Sequence, residues 1–211
     1  MHSTAIIHPE AILAPNVQVG PYAVIGRSGI GADTVVGAHA VIHDDCMIGT
    51  RVRIETHCAI GVSGAVWVWD EEGNQVTLPQ GGRVWIGDDV FLGAHVGIVR
   101  GLFNEATSVG HRCRIAPGSM LGHSVVLEDD CHLANNVSIA GSARIGSGSF
   151  LGSGCSVRSH AKLAPRTVVG NGAAVVSDVI VPDTVVAGVP AKELKPSENP
   201  RKGVPKPKES G

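Results

Sequence analysis

The sequence predicts an all-β solenoid, a parallel β-helix in which short strands stack coil upon coil. The main observation is a constant spacing of six between aliphatic residues, which are often followed by Gly, Ala or Pro. This spacing is typical of a solenoid, because each unit packs only on its neighbours and must repeat the same inward contact. Downstream it holds without a slip at Val109, Ile115, Leu121, Leu127, Leu133, Ile139, Ile145, Leu151, Val157, Leu163, Val169, Val175 and Val181.

The same spacing can be followed upstream with three interruptions. One short strand per hexad on three faces predicts a coil of three hexads and about eight or nine coils. Where Gly follows the aliphatic residue, as at Gly20 and Gly122, we expect it to supply a positive φ in the turn. The upstream aliphatic positions are Ile7, Leu13, Val19 and Ile25, then Ile30, Val36, Ile42, Ile48, Ile54 and Ile60, and finally Ile86, Leu92 and Ile98.

The cysteines follow the same pattern. Alternate residues of a strand share a face, so the residue two places before each aliphatic position should also point inward. All cysteines occupy that position, and we expect small core residues with free thiols rather than disulfides or nucleophiles. They are Cys46, Cys58, Cys113, Cys131 and Cys155.

Length and charge favour one elongated domain with a small-molecule role. The chain has 211 residues and a formal net charge of −2, which gives no reason to expect nucleic acid or an anionic membrane as partner. The start of the sequence lacks the pattern of a signal peptide, and no apolar run is long enough for a membrane span. We therefore expect a cytoplasmic protein without membrane insertion.

The hexads define the expected boundaries. We predict a β-helix over residues 1–182 with insertions at 64–85 and 99–108, a C-terminal cap at 183–195 and a disordered tail at 196–211. The first insertion contains Trp67, Trp69 and Trp85 and alternates like a two-stranded excursion closed by a turn. Insertions in a solenoid can wall a site. The simpler interpretation is that these tryptophans pack the excursion onto the coils or onto another subunit.

Several motifs resemble the hexapeptide-repeat acyltransferases, above all the UDP-3-O-acylglucosamine N-acyltransferases of lipid A synthesis. They are the sequence LPQGGRVWIGD at 78–88, GIVRG at 97–101 with Thr107 and Gly110 after it, GHSVV at 122–126 and LANN at 133–136. The resemblance implies a left-handed β-helix, although parallel crossovers are usually right-handed. Two features depart from it. The N-acyltransferases carry a separate uridine-binding domain before their coils, whereas the coils of this sequence begin at about Ile7. In addition, GVPAK at 188–192 is similar to the ending of CoA-dependent acetyltransferases of the same fold.

Acyl transfer from a thioester needs a base for the attacking group and a donor for the oxyanion. Among ten histidines, His123 matches the family's catalytic base, and Gly141 follows it by three hexads, one full coil. A glycine directly above the imidazole would leave its N–H approachable, and the resemblance implies that this N–H stabilises the oxyanion. The alternative is a corner histidine beside an ordinary repeat glycine.

The resemblance also implies further site residues in a groove between subunits of a homotrimer. His160 matches a second active-site histidine, and Asn135, Asn136 and Arg100 are expected near the acceptor. Ala140, Ser142 and Ser159 would flank the pantetheine arm of the donor, while Gly188 and Lys192 would lie near the CoA adenine. An acid or amide side chain is expected to orient the His123 ring. The sequence does not decide among Asp129, Asp130, Asn135 and Asn136 for this role.

The sequence therefore favours an enzyme that moves an acyl group, with acetyl-CoA as expected donor, to an amino or hydroxyl group of a sugar or nucleotide-linked sugar. No metal is expected. The main variant is a lipid A type enzyme that takes a long acyl chain from acyl carrier protein. A γ-class carbonic anhydrase, with zinc on His95, His111 and His123, is a further alternative, as is a non-catalytic scaffold or a nucleotidyltransferase fragment.

Overall fold

The structure, a computed structural model, describes residues 1–194. Three long sheets form the sides of a left-handed parallel β-helix, as the sequence and the resemblance predicted. The strands follow one another around the three sheets, and each pairs with the strand one coil away. Within the described part of the chain, no helix has the length and apolar character of a membrane span. The predicted tail at 196–211 lies outside the described residues.

The sheets contain nine, eight and ten strands, and we call them sheets 1, 2 and 3. Sheet 1 consists of β1 (Ile6–Ile7), β4 (Val24–Ile25), β7 (Val41–Ile42), β10 (Ala59–Val62), β15 (Gly97–Val99), β18 (Met120–Leu121), β21 (Ser138–Ile139), β24 (Ser156–Val157) and β27 (Ala174–Val175). Sheet 2 consists of β2 (Ile12–Leu13), β5 (Gly29–Ile30), β8 (Cys46–Ile48), β13 (Arg83–Ile86), β16 (Ala106–Val109), β19 (Val126–Leu127), β22 (Arg144–Ile145) and β25 (Lys162–Leu163). Sheet 3 consists of β3 (Gln18–Val19), β6 (Val35–Val36), β9 (Arg53–Ile54), β14 (Phe91–Leu92), β17 (Arg114–Ile115), β20 (His132–Leu133), β23 (Phe150–Leu151), β26 (Val168–Val169), β28 (Val185–Ala187) and β29 (Lys192–Glu193).

Three corners connect the sheets. Corner 1 leads from sheet 1 to sheet 2, corner 2 from sheet 2 to sheet 3, and corner 3 from sheet 3 to the next coil of sheet 1. Because each coil repeats the last, residues of one corner form a column along the helix axis. Position in the hexad register therefore decides which side chains can meet within one chain.

The core follows the predicted inward positions. Leu121, Val125 and Leu127 are buried, whereas Val126 between them points outward and is half-buried. Fully burying one such side chain contributes about 1.5–3 kcal/mol. The five cysteines are buried and free, which confirms their assignment as core residues.

The expected reason for glycine after the aliphatic residue was wrong. Gly20 and Gly122 do not have positive φ; it occurs two residues later, at Tyr22 and Ser124, each with φ of 57°. A Cβ on Gly20 would lie 2.8 Å from the backbone nitrogen of Ala38 in the next coil. Glycine is needed at this position because consecutive coils approach closely there.

The insertions are shorter than their sequence boundaries. The first lies between β10 and β13 and contains an antiparallel hairpin of β11 (Trp67–Trp69) and β12 (Gln75–Thr77), as predicted. Trp85 belongs to β13 because its neighbours Val84 and Ile86 already point into the core. The second lies between β15 and β16, which leaves residues 100–105 as the loop.

Sheet 3 continues past the expected end of the β-helix at residue 182. β28 pairs in parallel with β26, and β29 returns antiparallel to β28. The segment that departs from the hexad spacing in the sequence thus still adds strands to the prism. The last described residue, Leu194, donates its backbone N–H to the Val185 carbonyl at 2.8 Å.

Candidate active site

His123 lies at corner 1, two residues after the end of β18. The pairing of Leu121 with Ile139 places it against Gly141 in the next coil. A Cβ on Gly141 would collide with Nε2 and Cε1 of the imidazole and would lie 2.8 Å from Cδ2. The histidine and the glycine predicted from their spacing are therefore in contact, and only glycine leaves room for this ring position.

The backbone N–H of Gly141 has no hydrogen-bond acceptor among residues 1–194. Corner N–H groups elsewhere are often capped by a side chain of the next coil, as when Asp88 Oδ1 accepts from Thr50 at 2.7 Å. Ser142, the next residue, donates its N–H to the His123 carbonyl at 2.8 Å and so fixes the local backbone. An N–H without an acceptor, placed beside an imidazole, can donate to a developing oxyanion.

One ring nitrogen of His123 also lacks a partner. Nδ1 is buried and makes no hydrogen bond within the described residues. Asp129 and Asp130, two of the predicted orienting residues, lie at corner 2, where Arg112 binds both carboxylates. These two residues therefore do not orient His123 within one chain.

Thr107 and Ser124 hold the backbone at His123. The Thr107 side chain is fully buried, and its Oγ1 accepts the N–H of Ser124 at 2.8 Å. The Ser124 hydroxyl in turn accepts the N–H of Leu102 at 3.2 Å. The loop at 100–105 is thereby tied to the residue that follows His123.

Both insertions leave the solenoid at corner 1, on the two coils that precede His123. Their bases are joined, since Gly82 donates its N–H to the Gly101 carbonyl at 3.1 Å and Arg83 donates to the Glu105 carbonyl at 2.9 Å. On the hairpin, Trp67 and Trp69 form an edge-to-face pair with ring centroids 5.1 Å apart. These indoles are 46% and 63% exposed, so they do not pack the hairpin onto the coils of their own chain.

Arg100 lies at the same corner, one coil before His123. Its Nε donates to the Gly61 carbonyl at 2.9 Å and its Nη2 to the Asp44 carbonyl at 2.7 Å. The guanidinium therefore cross-links preceding coils of the corner. Part of its hydrogen-bonding capacity is used in this structural role.

The coils that follow Gly141 carry the other predicted residues of corner 1. His160 has φ of 60° and an exposed side chain, and its N–H donates to the Gly141 carbonyl at 3.0 Å. The register aligns it with Ser142 rather than with Gly141, because it lies one residue more than a full coil after Gly141. Corner 1 thus brings together His123, Arg100, Ala140, Gly141, Ser142, Ser159 and His160.

Other predicted residues lie at corner 3. Asn135 and Asn136 follow β20, and Gly188 follows β28 and accepts the Ala174 N–H at 3.0 Å. Lys192 lies in β29, beside that corner. Within one chain these four residues do not meet His123. A shared site requires a second copy, as the resemblance implied.

The histidines of the carbonic anhydrase alternative are also separated. His95 lies at corner 3, His111 at corner 2 and His123 at corner 1. His111 Nδ1 already accepts the Asp88 N–H at 2.9 Å. Among residues 1–194, no three His, Cys, Asp or Glu side chains are grouped so as to hold a metal ion. A zinc site of that kind would need ligands from more than one chain.

Known proteins are similar to this chain in sequence and in fold. A family model described as "Hexapeptide repeat of succinyl-transferase" matches residues 83–123 and 106–140. The UDP-3-O-acylglucosamine N-acyltransferase of Coxiella burnetii is 32% identical over 164 residues, which cover 66% of this chain and 48% of that protein. The UDP-3-O-acylglucosamine N-acyltransferase of Anaeromyxobacter dehalogenans is 31% identical over 144 residues, which cover 66% of this chain and 39% of that protein. The chain thus spans about half the length of the first relative.

Solved structures agree in fold. The UDP-N-acetylglucosamine O-acyltransferase of Moraxella catarrhalis has a TM-score of 0.83 and 29% identity, covering 92% of this chain and 73% of its own. LpxA of Acinetobacter baumannii has a TM-score of 0.84 and 26% identity, covering 92% and 72%. Together with the repeats and the motifs, these likenesses show that the chain belongs to the hexapeptide-repeat acyltransferase family.

Proposed function

We propose that this protein transfers an acyl group, preferably acetyl, from a CoA thioester to an amino or hydroxyl group of a nucleotide-linked sugar. The observation that carries the proposal is the contact between the His123 imidazole and Gly141, whose N–H has no acceptor in the described part of the chain. A base and an oxyanion donor lie side by side on one corner. This is the minimum that attack on a thioester requires.

In the proposed mechanism, His123 Nε2 accepts a proton from the acceptor's amine or hydroxyl as that group attacks the thioester carbonyl. The carbonyl oxygen becomes negatively charged, and the Gly141 N–H donates a hydrogen bond to it. Collapse of the tetrahedral intermediate breaks the carbon–sulfur bond. The imidazolium then returns its proton to the departing thiolate, so the base is regenerated.

The acceptor class is supported by the names of the relatives, which act on UDP-linked glucosamine derivatives. A long-chain donor on acyl carrier protein, as in a lipid A type enzyme, is the main variant of the proposal. The residues GVPAK at 188–192 favour CoA through their similarity to CoA-dependent acetyltransferases. We place the reaction in the cytoplasm.

We further propose that the active assembly is a homotrimer. The predicted residues divide between corner 1 and corner 3, which are separate within one chain. A groove between two copies would bring Asn135, Asn136, Gly188 and Lys192 of one subunit opposite His123 of its neighbour. Light scattering combined with size-exclusion chromatography measures the assembly state directly.

The donor is tested by calorimetry with acetyl-CoA and with a long-chain acyl carrier protein. Acetyl-CoA is expected to bind the wild type and not Gly141→Trp, because the indole would fill the space that the imidazole and the thioester occupy. Preferential binding of the acyl carrier protein would replace acetyl-CoA with the long-chain variant. If neither donor binds, the proposed acyltransferase function is wrong, and metal analysis follows.

A further inference from the structure

Two cations lie in register on the outer face of sheet 2. Arg144 in β22 pairs directly with Lys162 in β25, and both side chains are exposed. Adjacent strands are about 4.8 Å apart, so the two charges are held near each other. Like charges directly opposite on neighbouring strands repel and destabilise a sheet. An anion bound between the two side chains would remove this repulsion.

Most arginines of this chain do have partners. Carboxylates pair with Arg27, Arg51, Arg53, Arg112, Arg158 and Arg166, while Arg100 and Arg114 donate to carbonyls. Arg144 and Lys162 have no such side-chain partner among residues 1–194. The absence of a carboxylate leaves both charges available to a ligand.

Two acids near these strands, Asp178 and Glu128, already have other partners. Asp178 accepts the Lys162 backbone N–H at 3.1 Å and lies 3.6 Å from the Arg158 guanidinium. Glu128, at corner 2, accepts the Ser147 N–H at 2.9 Å. Neither carboxylate neutralises the side chains of Arg144 and Lys162. The exposed residues of β22 and β25 are therefore both cations without a side-chain partner among residues 1–194.

The cation pair also adjoins the proposed catalytic corner. Arg144 follows Gly141 by three residues, and Lys162 follows His160 by two. Val126, which pairs with Arg144, belongs to the coil of His123. The cations thus lie about 5 and 10 Å along the axis from that coil, a distance that a single extended substrate spans.

We propose that Arg144 and Lys162 bind a phosphate group of the substrate whose reacting end lies at His123. This inference rests on the proposed function and identifies one subsite of it. A guanidinium binds phosphate oxygens as a fork, and an ammonium acts as a point charge, so one phosphate between them removes their mutual repulsion. The phosphate could come from the nucleotide-linked acceptor or from CoA, which share this chemistry.

Direct binding tests the subsite without any acyl transfer. Uridine diphosphate and free CoA are titrated by calorimetry into the wild type, into the double variant Arg144→Gln/Lys162→Gln, and into Arg83→Gln. Arg83 is the matched control, because it is another exposed cation of sheet 2 and lies on β13, away from the two strands. Unchanged circular dichroism of each variant confirms folding.

The double variant is expected to bind one of the two probes at least about tenfold more weakly, since hydrogen bonds to charged groups are the stronger class. The probe affected identifies the source of the phosphate. Arg83→Gln is expected to bind both probes with the affinity of the wild type. Added salt should weaken the part of the binding that depends on Arg144 and Lys162, and the double variant should lack this part. Equal affinities of the double variant and the wild type for both probes, or no binding of either probe to the wild type, would overturn the proposal.

His123→Ala separates this inference from the proposed function. It is expected to retain probe binding and to lose acyl transfer. If His123→Ala transfers acyl groups normally while the double variant still loses affinity, the phosphate subsite stands and the catalytic assignment fails. If His123→Ala loses acyl transfer while the double variant binds both probes normally, the catalytic assignment stands and the phosphate subsite fails.

Discussion

The imidazole of His123 lies against the α-carbon of Gly141, one coil further along corner 1, in the space that any side chain at residue 141 would fill. The glycine therefore does two things at once. It admits the ring, and it leaves its own N–H without an acceptor from residues 1–194, beside that ring. In a solenoid, such a pair follows directly from a spacing of three hexads.

A single methyl group at residue 141 should displace the ring. Gly141→Ala is expected to lower kcat for acyl transfer by about 100-fold, because a shift of about 1 Å in a catalytic group can cost that much. Steady-state kinetics together with far-UV circular dichroism measures this. In the matched Gly29→Ala, the new methyl meets only the flexible end of Met47 at 3.0 Å, so kcat should be unchanged. Equal kcat for both variants would contradict the assignment of Gly141.

Thr107 is expected to position His123 through Ser124. Thr107→Val keeps the shape but removes the acceptor of the Ser124 N–H, which leaves a partly buried donor unpaired and costs up to about 1–3 kcal/mol of unfolding free energy. Thr34→Val is the control, because the buried Thr34 Oγ1 accepts the Val52 N–H at 3.1 Å, away from corner 1. Denaturant melts should show a loss of stability for both variants, larger for Thr34→Val because the Thr34 hydroxyl also donates to the Gly49 carbonyl at 2.9 Å. Only Thr107→Val should also lower kcat, and a kinetic effect of equal size in both would refute the positioning role.

The thiols should be inert in the folded protein. Burial raises the pKa of Cys46 to about 12 and the pKa of Cys58 and Cys155 to about 11. A thiol-specific disulfide reagent at pH 8 should label none of the five in the native state and all five in denaturant. Rapid labelling of the native protein would contradict their place in the core.

The same pKa shifts give a pH dependence of stability. The pKa values of these three thiols lie above the ordinary thiol value of 9.0. The stability that the protonated thiols contribute to the fold is therefore fully present below pH 9 and is lost as the pH rises toward 11 and 12. Unfolding free energies measured between pH 8 and pH 11 should therefore decrease. Replacing Cys58 and Cys155 with Ala should reduce this dependence, and an unchanged slope would show that other groups cause it.

The hairpin is expected to be dispensable for folding. Replacing residues 66–78 with a short Gly/Ser linker keeps the contact between Gly64 and Gln80 and removes Trp67 and Trp69, which are exposed. Surface insertions contribute little to the core, so the melting temperature should fall by only about 2–4 °C. A loss of cooperative melting would show instead that the hairpin is buried in the assembly.

The sequence predicted the fold because one rule repeats along the chain. Aliphatic positions such as Leu121 and Leu127 and the inward position of Cys131 recur every six residues, and all three are buried. The expectation that glycine supplies the positive φ was wrong because two constraints act at nearby positions. Consecutive coils approach closely at the glycine, whereas the positive φ falls two residues later. Spacing alone did not distinguish Gly122 from Ser124.

Contacts within the candidate site were predictable only where the spacing was a whole coil. His123 and Gly141 are three hexads apart and meet, whereas Asn135 follows His123 by two hexads, which leads to another corner. Arg144 and Lys162 are also one full coil apart, and their juxtaposition could have been recognised in the sequence. Which residues a neighbouring copy contributes does not follow from periodicity, because it depends on the packing of separate chains.

The most direct test of the account is the rate of acyl transfer by His123→Ala, measured with the donor that binds the wild type and a UDP-linked amino sugar. We expect kcat to fall by about 100- to 10,000-fold, the range of general base catalysis, with an unchanged fold. His8→Ala, which removes an exposed histidine from the first coil of the same corner, should keep the wild-type kcat. A kcat for His123→Ala within about twofold of the wild type would contradict the account, because no general base contributes so little.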